Sequence, residues 1–180
     1  SSQLSLNGVI GEGPSYHNSH LQAELTGENI SDMAPWLGLD KMPSQKFTLS
    51  AETRFDADGW TLSDGRLVST DLKLALNAKV DSLINTSRIE GDIHLATDDP
   101  MATLRAYGVD SDLELALPLS FSGKISGTPD SAQLTDGKFT LGQHAGSIAG
   151  NLGNFQELDK YVLAIALSGP DILQLYPIEQ

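Results

Sequence analysis

Residues 72–80 read Leu72-Lys73-Leu74-Ala75-Leu76-Asn77-Ala78-Lys79-Val80, apolar at each even position, with Lys73, Ala75, Asn77 and Lys79 between. Successive side chains of a strand point to opposite sides, so this stretch makes a strand with one apolar and one polar face. The pattern spreads outward. Phe47, Leu49, Ala51, Thr53 and Phe55 alternate with Lys46, Thr48, Ser50, Glu52 and Arg54; Ile89, Gly91, Ile93 and Leu95 alternate with Glu90, Asp92 and His94. Leu113, Leu115, Leu117, Leu119 and Phe121 continue it, with Pro118 predicting an edge strand or a bulge. Strands are also predicted over 3–11, 19–26, 60–68, 132–141, 145–152 and 160–168. The last, Tyr161 to Leu167, is apolar or small on both faces, which predicts a central or covered strand. Half-polar strands joined by turns such as Asp56-Ala57-Asp58-Gly59 predict an antiparallel sheet. Among the 17 glycines, Gly91, Gly123 and Gly150 fall inside strands, where glycine marks bulges and curvature. The expected fold is mostly β: a curved, twisted antiparallel sheet, forming a groove or open half-barrel, with short capping helices.

Two segments interrupt the alternation. Ser31 to Leu39 has Asn29 or Ser31 as cap and Gly38 as stop; Asp99 to Gly108 has Asp99 as cap, Pro100 at the first helical position and Gly108 as stop. Landmarks recur around them. Leu25-Thr26-Gly27, Leu95-Ala96-Thr97 and Leu167-Ser168-Gly169 lie 70 and 72 residues apart (25 to 95, 95 to 167). Leu62-Ser63-Asp64-Gly65-Arg66-Leu67 matches Leu134-Thr135-Asp136-Gly137-Lys138-Phe139 at 72 (62 to 134). The unit is a short helix followed by about four strands, and such arrays grow by adding units. The expected organisation is strands ending a preceding unit over 1–29, full units over 30–98 and 99–169, and the start of another over 170–180. The chain opens mid-pattern at Ser1-Ser2-Gln3-Leu4 and is expected to be a stretch of a longer protein.

Chemistry-bearing motifs are sparse. With 11 basic against 24 acidic residues the net charge is -13, which disfavours nucleic acid and a strong grip on anionic membranes. Cysteine is absent, so disulfides and thiolate chemistry are excluded. No apolar run is long enough for a membrane-spanning helix. His17 and His20 lack a nearby third ligand, and His94 and His144 are expected in solvent. Asp56-Ala57-Asp58-Gly59 reads as a turn rather than a calcium loop. No nucleophile elbow, phosphate loop or dinucleotide fingerprint occurs. The reading is a non-enzyme with no cofactor and no metal.

Gly27-Glu28-Asn29-Ile30-Ser31-Asp32-Met33-Ala34-Pro35-Trp36-Leu37-Gly38-Leu39, followed by Leu49-Ser50-Ala51-Glu52 and Trp60-Thr61-Leu62-Ser63-Asp64-Gly65-Arg66-Leu67, resembles the AsmA family of Gram-negative envelope proteins, including its AsmA-like and TamB-like members. Gly65 stands where that family often has leucine. The resemblance implies a periplasmic segment tethered to the inner membrane by an N-terminal helix outside this stretch. It implies repeated β-groove architecture, and carriage of phospholipid toward the outer membrane with a part in outer-membrane homeostasis. Implied partners are phospholipid or another acyl-chain lipid, envelope proteins, and a membrane met through segments outside this stretch; the alternative is a non-enzymatic scaffold or assembly module for outer-membrane biogenesis. The residues expected to line one concave aliphatic surface are Phe47, Leu49, Phe55, Leu72, Leu74, Leu76, Ile93, Leu95, Leu115, Leu117, Leu119, Leu163 and Ile165.

Overall fold

A computed structural model describes residues 2–13, 17–34, 42–81, 88–108, 117–128, 130–153 and 161–170. Ten strands form one antiparallel sheet in simple sequence order. They are β1 (Ser2–Val9), β2 (Ser19–Gly27), β3 (Phe47–Asp56), β4 (Gly59–Ser69), β5 (Lys73–Asp81), β6 (Arg88–Thr97), β7 (Leu119–Thr128), β8 (Ser131–Leu141), β9 (His144–Gly153) and β10 (Val162–Ser168). Each strand pairs with its sequence neighbours, and β1 does not meet β10, so the sheet is open rather than a barrel. The fold class expected from the alternation is the one observed.

The hairpins follow local chemistry. Asp56 pairs with Gly59 across Ala57-Asp58, and the Asp56 carboxylate accepts the Asp58 backbone N–H at 3.0 Å. Leu141 pairs with His144 across Gly142-Gln143, where Gly142 adopts φ 58°.

The sheet bends at two bulges of one design. In β4 the register slips between Leu62 and Gly65, and in β8 between Leu134 and Gly137. The facing slips in β3 and β7, Ser50/Glu52 and Ser122/Lys124, keep the same 72-residue offset (50 to 122, 62 to 134). Asp64 and Asp136 take left-handed φ of 51° and 53°, a conformation a short polar side chain tolerates. Each extra residue increases local twist and bends its strand.

The two interruptions also correspond. Asn29 and Asp99, 70 residues apart (29 to 99), both cap the segments that follow. The Asn29 side chain accepts the Ser31 N–H at 3.2 Å and its hydroxyl at 2.8 Å, starting a 3₁₀ turn over Ile30–Met33. This is shorter than the helix predicted near 31–38, whose remainder lies outside the described residues. Asp99 accepts the Ala102 N–H at 2.8 Å and starts helix α1 (Pro100–Ala106), with Pro100 in the first turn and Gly108 at φ 84° just past its end.

Three expectations are corrected. Pro118 does not mark an edge, and residues 113–116 of the run that it interrupts lie outside the described residues. It sits just before Leu119, where its missing N–H costs no ladder bond, and its carbonyl accepts the Gly142 N–H at 2.9 Å; β7 is internal, between β6 and β8. His144 is buried rather than solvated, because β9 starts on it and Gly169 packs against its ring. Strand β10, read as central or covered, is an edge among the described residues, with Val162 72% and Ile165 64% exposed.

Candidate functional site: the two faces of the sheet

Residues directly opposite in an antiparallel pair point to the same side, so the registers define the faces. One transverse row runs Leu4, Leu25, Leu49, Leu67, Leu74, Leu95, Phe121, Phe139, Gly146, Leu167, one residue from each of the ten strands. Every member except Gly146 is large and apolar, and a Cβ at Gly146 would collide with the Phe139 ring, so the glycine is the space that ring occupies. The same accommodation recurs at Gly27, where an added Cβ would lie 2.5 Å from Cε1 of Phe47.

Of the expected lining residues, Phe47, Leu49, Phe55, Leu74, Leu76, Ile93, Leu95, Leu119, Leu163 and Ile165 lie in strands on this one face. Leu72 and Leu117 adjoin it just outside β5 and β7. Leu72 is buried, and Leu117 packs over Gly142. Leu115 lies outside the described residues.

The face is unevenly covered. At the end of the sheet nearest the 3₁₀ turn, Ile30, Ala34 and Met42 close over Phe47, with Leu25, Met33, Leu49, Leu67 and Tyr107 packed around them. Ile30 is held there by its N–H to the Gln45 carbonyl, 2.9 Å. Burial pushes the Tyr107 hydroxyl pKa up. At the margins the apolar face is open: Leu4 and Leu6 of β1 are 60% and 63% exposed.

The opposite face carries short ion pairs. Glu52 meets His20 at 2.8 Å and accepts from Arg54 at 3.2 Å, Lys79 meets Asp81 at 2.7 Å, and Arg88 meets Glu90 at 3.0 Å. Hydrogen bonds from Gln22 and His20 hold the Glu52 carboxyl below its ordinary range. His17 is separately engaged, its Nδ1 donating to the Asp56 carbonyl at 2.9 Å. Among the described residues no three His, Cys, Asp or Glu side chains gather as a metal site. No described helix is long and apolar enough to cross a membrane.

One feature escaped the sequence reading. A hollow of about 660 Å³ opens on the polar face, lined by Arg66, Val68, Lys73, Ala75, His94, Ala96, Ser120, Ser122, Lys138, Thr140 and Ala145 and floored by the strands at Leu74, Leu95, Phe121, Phe139 and Gly146, with most of its wall apolar. Its cations are spread from 66 to 138 and adjoin only once four strand registers are set, so no local signal reveals them. Compared with known proteins, the chain matches no family model, no curated protein and no solved structure.

Proposed function

We propose that this chain carries phospholipid, or another acyl-chain lipid, along its aliphatic face, as the periplasmic part of an inner-membrane-anchored protein of the AsmA type that supplies the outer membrane. The observation carrying this reading is the row of apolar residues that crosses all ten strands, interrupted by Gly146 and covered at Leu25, Leu49 and Leu67, on a sheet that does not close. At about 4.8 Å per strand the row has a contour of about 43 Å, longer than the roughly 30 Å hydrocarbon core of a bilayer. Acyl chains would lie across the strands while headgroups stay in water. The lining is largely aliphatic, with Phe47, Phe55, Phe121 and Phe139 among it, which suits methylene chains better than sugars or peptides. Apolar area left in water costs about 25 cal/mol per Å², and that cost is relieved when a lipid occupies the face.

The scaffold reading has an observation of its own: Ile30, Ala34 and Met42 already pack one end of the face as a core. The two readings part at Leu74, mid-row. Leu74→Glu on the lipid reading leaves a folded protein that no longer retains lipid; on the scaffold reading it unfolds the domain, because a buried unpaired carboxylate is costly. Ala149→Glu, exposed on the polar face, serves as the control. The measurement is circular dichroism together with mass spectrometry of co-purified or photo-crosslinked lipid. A folded wild-type chain that captures no lipid when offered phospholipid vesicles rejects the lipid reading.

A further inference from the structure

We propose that the hollow on the polar face is an anion site that receives a phosphoryl group over Ala75, between Arg66, Lys73 and His94. The registers build this arrangement. Arg66 and His94 are the direct partners of Ala75 on its two sides, and Lys73 is two residues before it on the same strand and face. Arg66 and His94 are therefore two strand spacings apart, about 10 Å. Lys73 is the diagonal neighbour of both, at about 7–8 Å. Three donor-bearing residues thus flank Ala75 on one face, with the Arg66 guanidinium turned toward Asp64. The small Ala75 floor leaves room for the anion to sit among them rather than above them.

Charge supports the assignment. The chain carries -13 overall, yet no Asp or Glu lines this hollow. Elsewhere Lys46, Arg54, Lys79, Arg88 and Lys124 each have a carboxylate within 4.0 Å. Among the described residues Lys73, His94 and Lys138 have none, and outside the hollow Arg105 has none either. Arg66 has only Asp64 at 3.6 Å, both side chains being well exposed (66% and 75%), a weak contact an incoming anion can displace. Cations left without partners on an acidic protein concentrate an anionic ligand locally. Convergence from three sides fits a tetrahedral anion with several oxygens; a planar carboxylate is served by one arginine fork. Beyond His94, the Ser122 hydroxyl and Lys138 continue the same row and offer a second contact to whatever the phosphoryl group is attached to.

This site stands on the face opposite the aliphatic row, so its test is independent of lipid carriage there. The probe is inorganic phosphate, followed by amide NMR, with acetate alongside. Co-sedimentation with phosphatidylcholine vesicles, with and without phosphatidic acid, forms the second arm. Expected is a saturable shift confined to residues around Ala75 and His94, weakened about tenfold by Arg66→Gln or Lys73→Gln. Ala75→Glu, which places a carboxylate among the three donors, abolishes it in a protein that keeps its circular dichroism. Response to phosphate without vesicle binding assigns a free phosphate ester as ligand. Vesicle binding that needs phosphatidic acid and is lost in Lys73→Gln assigns a lipid headgroup. Equal response to acetate, no saturable response in either arm, or binding unchanged by all three substitutions overturns the proposal.

Discussion

Replacing Gly137 by alanine tests whether the paired bulges are the joints of this sheet. At Gly65 an added Cβ would stand 2.7 Å from the Leu76 carbonyl oxygen, 0.7 Å short of the 3.4 Å of ordinary contact. At Gly137 the Cβ would overlap the Ile148 carbonyl oxygen outright and lie 2.8 Å from its Cγ2. The obstacle in both cases is backbone of the neighbouring strand, which cannot swing aside as a side chain would. Overpacking of this kind costs about 1–3 kcal/mol, and the closer approach puts Gly137→Ala near about 3 and Gly65→Ala near about 1–2. For a chain of this length each kcal/mol moves Tm by about 2–4 °C, so the expected losses are roughly 6–12 °C and roughly 2–8 °C. Urea unfolding followed by far-ultraviolet circular dichroism gives the free energies, with unchanged m-values as the check that only stability moved. If Gly137→Ala lies within about 0.5 kcal/mol of wild type, the size of ordinary surface effects, or if Gly65→Ala costs more, the close strand approach at the bulges is refuted.

Further outcomes follow from the same structure. Asp136→Val, which sets a β-branched residue at φ 53°, should lose about 1–2 kcal/mol, whereas Asp136→Gly should be neutral or stabilising in the same urea assay. Asp99→Ala removes the acceptor of the Ala102 N–H and should cost about 1 kcal/mol, read as faster hydrogen exchange confined to α1. The Glu52 carboxyl is held low by Gln22 and His20, so its contribution is complete above the unfolded carboxyl pKa and disappears as pH falls through the lowered folded-state value. Glu52→Gln should therefore flatten the acid limb of a Tm-against-pH profile.

Alternation between Lys46 and Leu95 was enough to assign each side chain to a face, because a strand's period of two is a local property. The bulges are not where mid-strand Gly91 suggested one, since it pairs in regular register on both sides; their signal lies in the parity of the apolar residues. Trp60 and Leu62 are apolar at even positions and Leu67 at an odd one; Leu134 is even while Phe139 and Leu141 are odd. Each change of parity requires one extra residue between, and the structure places it at Asp64-Gly65 and Asp136-Gly137. Other features were not legible. Pro118 looked like an interruption because the alternation runs through it, and only the start of pairing at Leu119 shows that it precedes the strand. His144 looked exposed because hairpins usually are, and only the approach of Gly169 from beyond β10 buries it.

By itself, then, the sequence determined the strands, their faces and the cap at Asp99, since all of these depend on residues close along the chain, while at the first cap it left Asn29 and Ser31 as alternatives. The tertiary structure decided which residues stand side by side. Leu4 and Leu167 belong to one row, and Arg66, Lys73 and His94 to one hollow, because of strand register. Register is set jointly by every turn and bulge between two positions, so one slipped residue would turn a whole strand's apolar side chains to the other face. That is why the two faces could be read from the chain, while the row across one and the hollow in the other appear only in the folded sheet.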